Sequence, residues 1–238
     1  MKDHSLISNK FSDIISNKKF IDDFYDDSYF ASYYHEVSQK TVDDINWYKK
    51  ILSREDAILE IGTGSGRVFL PLLLDGFDIY GIEPSSKMRK LINIGCERIY
   101  PYTLQNLEKI PKRDIQEIII PATTVSLFPK DDFEEFLKNS KKIFPNIKRV
   151  FLDFLDTKYF VESNDIVKSE VYRDEKCYFT NFILDDYVVF NIVTKDKCAV
   201  SKKYLYSIDY FTEISLNYGF NYEIIFKNKF YYFLKITL

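Results

Sequence analysis

Three of the seven glycines in this chain fall within five residues of one another, at Gly62, Gly64 and Gly66. A short apolar run, Ala57–Ile61, precedes them, and residues 68–74 follow with the apolar spacing of a helix. Glycine lets a ligand approach the backbone without meeting a Cβ, and the start of a helix presents free N–H groups. The sequence therefore predicts a strand–loop–helix unit that binds a nucleotide-like ligand.

An acidic residue at the right distance supports this prediction. A second apolar run, residues 77–82, ends in Glu83, about twenty residues after Gly62. An acid at the tip of the next parallel strand can accept hydrogen bonds from both ribose hydroxyls of an adenosine. The dinucleotide pattern G-x-G-x-x-G would need glycine where this chain has Arg67. The pattern here is G-x-G-x-G preceded by Glu60, which argues against a nicotinamide-dependent oxidoreductase.

Several segments, in order, resemble those of class I S-adenosylmethionine-dependent methyltransferases. Residues 60–66 resemble the first motif of that family, and residues 80–88 resemble the second, an acid at a strand end followed by a helix start. Further segments of the same kind are residues 44–48, similar to the helix before the first motif, residues 102–107 at the third strand, and residues 118–121 at the fourth. The resemblance covers roughly residues 40–155.

The resemblance implies S-adenosylmethionine as cofactor, S-adenosylhomocysteine as product, and no metal. The cofactor contacts that it implies are Tyr33, Glu60, Gly62, Thr63, Gly64, Gly66, Glu83, Pro84, Met88, Gln105, Asn106, Leu107 and Pro121. Glu60 would approach the methionine amino group, and Glu83 would bind the ribose diol. Asn106 stands where the family often has an aspartate at the adenine amine, and its amide oxygen can still accept a hydrogen bond.

Transfer from an activated sulfonium needs alignment and exclusion of water more than covalent chemistry, so catalytic residues are hard to identify from sequence. His35 and Tyr34 are the catalytic candidates, because both lie in the N-terminal segment and histidine titrates near neutral pH. Acceptor contacts are expected from residues after the fourth and fifth strands and in the insertion, namely Thr123, Thr124, Ser126, Asp153, Asp156 and Tyr206. Packing, capping and turn roles remain open for each of these residues.

The alternation of strand-like and helix-like runs predicts parallel strands joined by helices. Predicted strands cover residues 57–61, 77–82, 98–104, 115–121 and 148–154, and predicted helices cover residues 12–52, 66–74, 85–93 and 131–143. Later strands are predicted at 167–172, 177–184, 187–194, 200–208, 221–227 and 230–237, with a helix at 209–218. Asp185-Asp186 and residues 195–197 indicate hairpin turns.

We therefore expect an α/β fold with a doubly wound, Rossmann-like, mainly parallel sheet, an N-terminal helical lid and a C-terminal antiparallel β insertion. Residues 1–238 would form one domain. Its parts would be a lid at 1–50, a cofactor-binding core at 51–160, the insertion at 161–208, and a last helix and strands at 209–238 that complete the core sheet. The insertion is similar to that of small-molecule methyltransferases acting on sugar amines and peptide amines.

The charge and composition of the chain limit the kinds of binding partner that we expect. The formal net charge is −3, without a basic stripe, so nucleic acid is not an expected partner. Residues 120–124 also lack the Asn/Asp-Pro-Pro-aromatic run of enzymes that methylate nucleic-acid amino groups. No apolar run approaches the ~20 residues of a membrane helix, and the three cysteines have no metal-ligand spacing. We expect a cytoplasmic monomer or homodimer without a membrane partner.

The sequence thus favours methyl transfer to a nitrogen or oxygen of a small molecule or short peptide. The alternative is a non-catalytic protein that kept the cofactor fold and acts with a partner.

Overall fold

The computed structural model describes residues 4–40, 43–111 and 114–238. Its α-helices are α1 Ser28–Ser38, α2 Asp43–Ile51, α3 Phe69–Leu74, α4 Ser86–Arg89, α5 Lys130–Ile143, α6 Thr157–Glu162 and α7 Ile208–Tyr218. Its strands are β1 Lys19–Ile21, β2 Ala57–Ile61, β3 Ile79–Ile82, β4 Ile99–Tyr100, β5 Ile115–Ile120, β6 Arg149–Leu155, β7 Lys168–Tyr172, β8 Glu175–Leu184, β9 Tyr187–Val193, β10 Lys197–Tyr204, β11 Asn221–Lys227 and β12 Tyr231–Thr237.

The core sheet has the strand order β11-β12-β6-β5-β2-β3-β4. Five neighbouring strands run parallel to one another, in the order β6-β5-β2-β3-β4. The strand β12 runs antiparallel to both β6 and β11. Successive residues point to opposite faces of the sheet, so Leu59 packs in one apolar cluster and Ile58 in another. Burial on both faces is what the continuous apolar runs predict for parallel strands. The expected α/β class with a mainly parallel sheet is confirmed.

The second sheet has the order β1-β10-β9-β8-β7 and is the predicted antiparallel insertion. Neighbours from β7 to β10 pair antiparallel, and β1 joins the edge of β10 in parallel. The residues of α1 that were expected to form a lid pack on this sheet. Phe30 and Tyr33 of α1, with Phe24 from the segment before it, share a cluster with Tyr172 and Ile192.

The structure corrects the helical prediction for residues 12–52. Among the described residues of that range, only those of α1 and α2 are α-helical, and Lys19–Ile21 forms a strand. The N–H of Lys19 donates to the carbonyl of Asp196 at 2.8 Å, so pairing with a strand far along the chain overrides the local apolar spacing.

Two further elements differ from the predictions. The third core strand is only two residues long because Pro101, which cannot donate to a ladder, follows Tyr100, and the chain continues as a 3₁₀ turn at Leu104–Lys109. The short helix α6 was not predicted, and the Asp156 carboxylate caps it by accepting from the N–H of Lys158 at 3.0 Å. The division into lid, core and insertion stays a prediction, and residues 1–3 and 41–42 of the lid lie outside the described residues.

Candidate functional site

A cavity of about 580 Å³ opens at the carboxyl ends of β2, β3 and β5. That volume is within the range of sites for small molecules and cofactors, and this edge of an open parallel sheet is where such folds bind ligands. The cavity is lined by Leu6, Asp22, Asp23, Tyr25, Asp26, Tyr34, Ile61, Gly62, Gly64, Ile82, Glu83, Pro84, Ser85, Met88, Tyr102, Thr103, Leu104, Gln105, Ala122, Thr123, Thr124, Ser126, Leu127, Phe128, Pro129, Val200, Ser201, Lys202 and Lys203.

The glycine loop forms the floor of this cavity. Gly62 has φ 74°, in the left-handed region, and its N–H donates to the carbonyl of Ile82 at 3.0 Å. A Cβ at position 62 would overlap the side chain of Thr124, so the loop and the turn after β5 lie in direct contact. Glycine is required here both for the backbone conformation and for the space.

Glu83 joins the glycine loop to the loop after β3. Its carboxylate accepts from the N–H of Gly64 at 2.9 Å and from the N–H of Ser85 at 2.8 Å. The side chain is 7% exposed, and burial raises the pKa of Glu83, opposed by these two hydrogen bonds. Each carboxylate oxygen has a second lone pair, so Glu83 can also accept from a diol in the cavity.

The predicted adenine end of the site is only partly as expected. Pro84, Met88 and Gln105 line the cavity, whereas Asn106 and Leu107 do not. Leu107 is fully buried in the core, and the amide oxygen of Asn106 accepts from Lys109 at 3.4 Å. Both residues lie in the 3₁₀ turn Leu104–Lys109, which follows the predicted strand 98–104, and this turn does not bring them into the cavity lining.

The turn after β5 has an unusual backbone. Ala122 and Thr123 have φ values of 59° and 58°, which non-glycine residues seldom adopt in succession. The N–H of Thr123 donates to the Asp153 carboxylate at 2.8 Å, and the Thr123 carbonyl accepts from Ser126 at 2.9 Å. Strained backbone of this kind is found at functional sites where surrounding bonds hold it. Here it places Thr123, Thr124 and Ser126 along the cavity.

Asp153 holds this turn by accepting the hydrogen bond from the N–H of Thr123. It lines a smaller hollow of about 420 Å³, which shares Tyr34, Ala122 and Thr123 with the main cavity. Burial raises the pKa of Asp153 to about 7, and the hydrogen bond from Thr123 acts in the opposite direction. One oxygen of this carboxylate, Oδ1, is buried without a hydrogen-bond partner.

Unsatisfied polar atoms also lie beneath the glycine loop. Glu60 Oε2, Thr63 Oγ1 and Ser65 Oγ are buried without hydrogen-bond partners. Burial raises the pKa of Glu60 well above its ordinary value, and the nearby Arg67 opposes this shift. Unpaired buried polar atoms are rare in folded proteins, and a polar ligand is one way to satisfy them. The cavity lining does not include Glu60 of β2, nor Thr63, Gly66 and Pro121 of the segments that follow β2 and β5.

Four more sequence-predicted residues lie outside the cavity lining, in addition to those already described. The hydroxyl of Tyr33 donates to Glu170 of the second sheet, and His35 lies in the same helix outside the cavity lining. Asp156 caps α6, and the Tyr206 hydroxyl donates to the carbonyl of Phe128 at 3.1 Å. The structure therefore gives Tyr33, Asp156 and Tyr206 packing and hydrogen-bonding roles, and it brings Tyr34, rather than its two neighbours, to the cavity.

Sequence reasoning identified Tyr34 but not the other cavity residues of the N-terminal segment, nor those of β10. Tyr25 packs edge-on against Tyr34 with ring centroids 5.4 Å apart, and the Tyr25 carbonyl accepts from Ser85 Oγ at 2.8 Å. Ser201 and Lys203 enter from β10. The crowding of aromatic residues at 20–34 was a signal of their importance, but their partners lie on the second sheet, which local spacing does not reveal.

Comparison with solved structures identifies the fold. An S-adenosylmethionine-dependent methyltransferase from Clostridium acetobutylicum superposes on this protein with a TM-score of 0.68 at 15% identity, over 88% of this chain and 98% of that one. The fold is that of the S-adenosylmethionine-dependent methyltransferases. The sugar N-methyltransferase KedS8 from Streptoalloteichus matches this methyltransferase fold with a TM-score of 0.65 at 12% identity, over 86% of this chain and 91% of the other.

A third methyltransferase structure was solved with the cofactor. CalS10, an amino pentose methyltransferase from Micromonospora echinaspora bound to S-adenosylmethionine, has a TM-score of 0.59 at 12% identity, over 89% of this chain and 97% of its own. No protein-family model and no curated protein matches the sequence significantly.

In the part of the chain that the structure describes, no group of three or more His, Cys, Asp or Glu side chains could hold a metal ion. No helix among residues 4–40, 43–111 and 114–238 is both long enough and apolar enough to cross a membrane.

Proposed function

We propose that this protein transfers a methyl group from S-adenosylmethionine to a nitrogen or oxygen atom of a small molecule or short peptide. The observation that carries the proposal is the position of Glu83, a buried carboxylate fixed between the N–H groups of Gly64 and Ser85 at the edge of the cavity. In this fold such an acid is placed to bind the ribose of the cofactor. The structural neighbours described above support both the cofactor and the reaction.

The residues present fit the cofactor. Glu83 would accept from the ribose diol, and Pro84, Met88 and Gln105 would surround the adenine. The backbone of Gly62 and Gly64 would lie beside the methionine part, where any Cβ at Gly62 would meet Thr124. The unsatisfied Glu60 Oε2 lies below the same loop and would favour a cationic amino group above it.

The cofactor, when bound, supplies a methyl group already activated on a sulfonium. The chain has to orient the acceptor and exclude water. Burial raises the pKa of Tyr34, so its hydroxyl keeps its proton at neutral pH and can donate a hydrogen bond but cannot act as a base. Tyr34, Thr123, Thr124 and Ser126 are the proposed acceptor contacts, because all four line the cavity beside the glycine loop.

A nitrogen acceptor is the preferred form of the proposal, with two amino-sugar methyltransferases among the structural neighbours. An amine attacks through its free electron pair, so it needs less proton removal before reaction than an alcohol does. Asp153, with a pKa of about 7, is the proposed group that holds positive charge near the acceptor side. We also propose a cytoplasmic monomer or homodimer that acts without nucleic acid.

The test is methyl transfer from S-adenosylmethionine carrying a labelled methyl group. The purified protein would be offered separate pools of amines, amino sugars, short peptides and alcohols, and S-adenosylhomocysteine release and product mass would be measured. Release that depends on an amine or alcohol pool supports the proposal. Tight S-adenosylhomocysteine binding with no transfer to any pool would instead favour the non-catalytic alternative.

A further inference from the structure

We propose that Lys203 binds an anionic group of the acceptor, a carboxylate or a phosphate. This inference rests on the proposed function, since it assigns a substrate class to the same cavity. It depends on the placement of Lys203, one of two neighbouring lysines that line the cavity, which forms no ion pair with any residue that the structure describes.

Lys203 reaches the cavity because β10 extends past its neighbour. The strand β1 pairs only with Lys197–Ala199, so residues 200–203 of β10 are free of β1 and form part of the cavity wall. Side chains two apart on a strand share a face, which places Ser201 and Lys203 on the same side. Ser201 is 8% exposed, and both residues line the cavity.

Lys197 and Lys203, both in β10, differ in whether an acidic side chain neutralises them. Lys197 is neutralised by Asp27, with Nζ 2.8 Å from Oδ1 and 2.9 Å from Oδ2. Lys203 forms no ion pair with any described residue, and its Nζ lies 5.4 Å from the centre of the Phe190 ring. Asp22, Asp23 and Asp26 also line the cavity, but none of them is within ion-pair distance of Lys203.

An unpaired cation in such a place is unfavourable until an anion joins it. Burial lowers the pKa of Lys203, and this desolvation has no compensating charge nearby. A bound carboxylate or phosphate would supply that charge together with charge-assisted hydrogen bonds.

The test uses the protein saturated with S-adenosylhomocysteine and three probes of matched shape: benzoate, phenyl phosphate and benzamide. Binding of each is followed by ligand-observed NMR. We expect at least one anionic probe to bind ten-fold or more tightly than benzamide, and the stronger anion distinguishes a carboxylate from a phosphate site. Lys203→Met should remove the preference, and Lys203→Arg should keep it.

Lys176→Met is the matched control, because Lys176 also lies over a ring, with Nζ 5.0 Å from the centre of Tyr178, but outside the cavity. It should bind the anions as the wild type does. Equal binding of all three probes, no binding, or an unchanged preference in Lys203→Met would overturn the inference. The affinity for S-adenosylhomocysteine is measured separately in every variant, so failure of the cofactor site is distinguished from failure of the anion site.

Discussion

Arg67 and Asp44 form a buried, two-point ion pair beneath the glycine loop. Nη1 of the arginine donates to Oδ1 of Asp44 at 2.7 Å, and Nη2 donates to Oδ2 at 2.5 Å. The two residues are 8% and 7% exposed. The pair links α2 to the segment between the glycine loop and α3, so the position that excludes the dinucleotide pattern has a structural role of its own.

Breaking this pair should destabilise the protein strongly. Arg67→Met leaves the Asp44 carboxylate buried without its partner, which costs about 3–5 kcal/mol in comparable pairs. The free energy of unfolding in urea measures the loss. Replacing both residues, as Asp44→Asn with Arg67→Met, should cost less than Arg67→Met alone, because no isolated buried charge remains.

The cost of breaking the buried pair can be compared with that of an exposed ion pair, which joins Lys49 of α2 to Asp75. Lys49 lies 2.8 Å from Asp75, and the two side chains are 31% and 41% exposed. Lys49→Met should therefore change stability by about 1 kcal/mol or less. If Arg67→Met were as mild as Lys49→Met, the buried pair would not support the loop in the way described.

Gly62→Ala should damage the cofactor site through two effects, an unfavourable φ and a collision with Thr124. Gly76→Ala tests the backbone effect without the collision, because Gly76 has φ 85° and no atom lies within 4 Å of an added Cβ. The backbone effect alone costs about 1–2 kcal/mol, so Gly76→Ala should lose about that much stability and keep its affinity for S-adenosylhomocysteine.

Gly62→Ala should lose more stability and bind S-adenosylhomocysteine at least ten-fold more weakly in calorimetry. Adding Thr124→Ser removes the methyl group that causes the collision and should restore part of the affinity. Equal effects of Gly62→Ala and Gly76→Ala on binding would show that the loop does not contact the cofactor.

The part of the candidate site whose position could be predicted from the sequence is built from residues close together in the chain, and its role in binding the cofactor stays a prediction. The glycine loop and Glu83 belong to one strand–loop–helix–strand unit, so spacing along the chain fixes their relation in space. The order of strand and helix runs predicted the parallel sheet for the same reason.

The parts missed depend on contacts between distant segments. The strand Lys19–Ile21 exists because β10, far along the chain, offers it an edge. The contact of Tyr33 with Glu170 of β7 and the position of Lys203 at the cavity also join segments that are far apart in the chain. Pro101 was visible in the sequence and could have shortened the predicted third strand, since proline cannot donate to a ladder.

Asp153 should make the stability depend on pH. Its pKa of about 7 in the folded state is above the ordinary value of 3.8, so between these values the folded protein holds a proton that the unfolded chain has lost. Stability contributed by this group is therefore present at low pH and is lost as the pH rises toward 7. From pH 5 to pH 8 the loss amounts to about 3 kcal/mol for a shift of this size.

Asp153→Asn removes this titration and keeps an oxygen for the N–H of Thr123. The variant should gain stability relative to the wild type between pH 5 and pH 8, as measured by urea unfolding at both values. A constant difference between the two proteins would mean that Asp153 is already ionised in the folded protein at pH 5.

The most direct test of the account is calorimetric titration with S-adenosylhomocysteine of the wild type and of Glu83→Gln, with NAD as a control ligand. Glutamine keeps the size of the side chain but removes the charge, and hydrogen bonds to charged groups contribute about 1.5–3 kcal/mol each. We predict micromolar binding by the wild type, at least ten-fold weaker binding by a folded Glu83→Gln, and no binding of NAD. Equal affinity in the two proteins would contradict the assignment of Glu83 to the ribose and of this cavity to the cofactor.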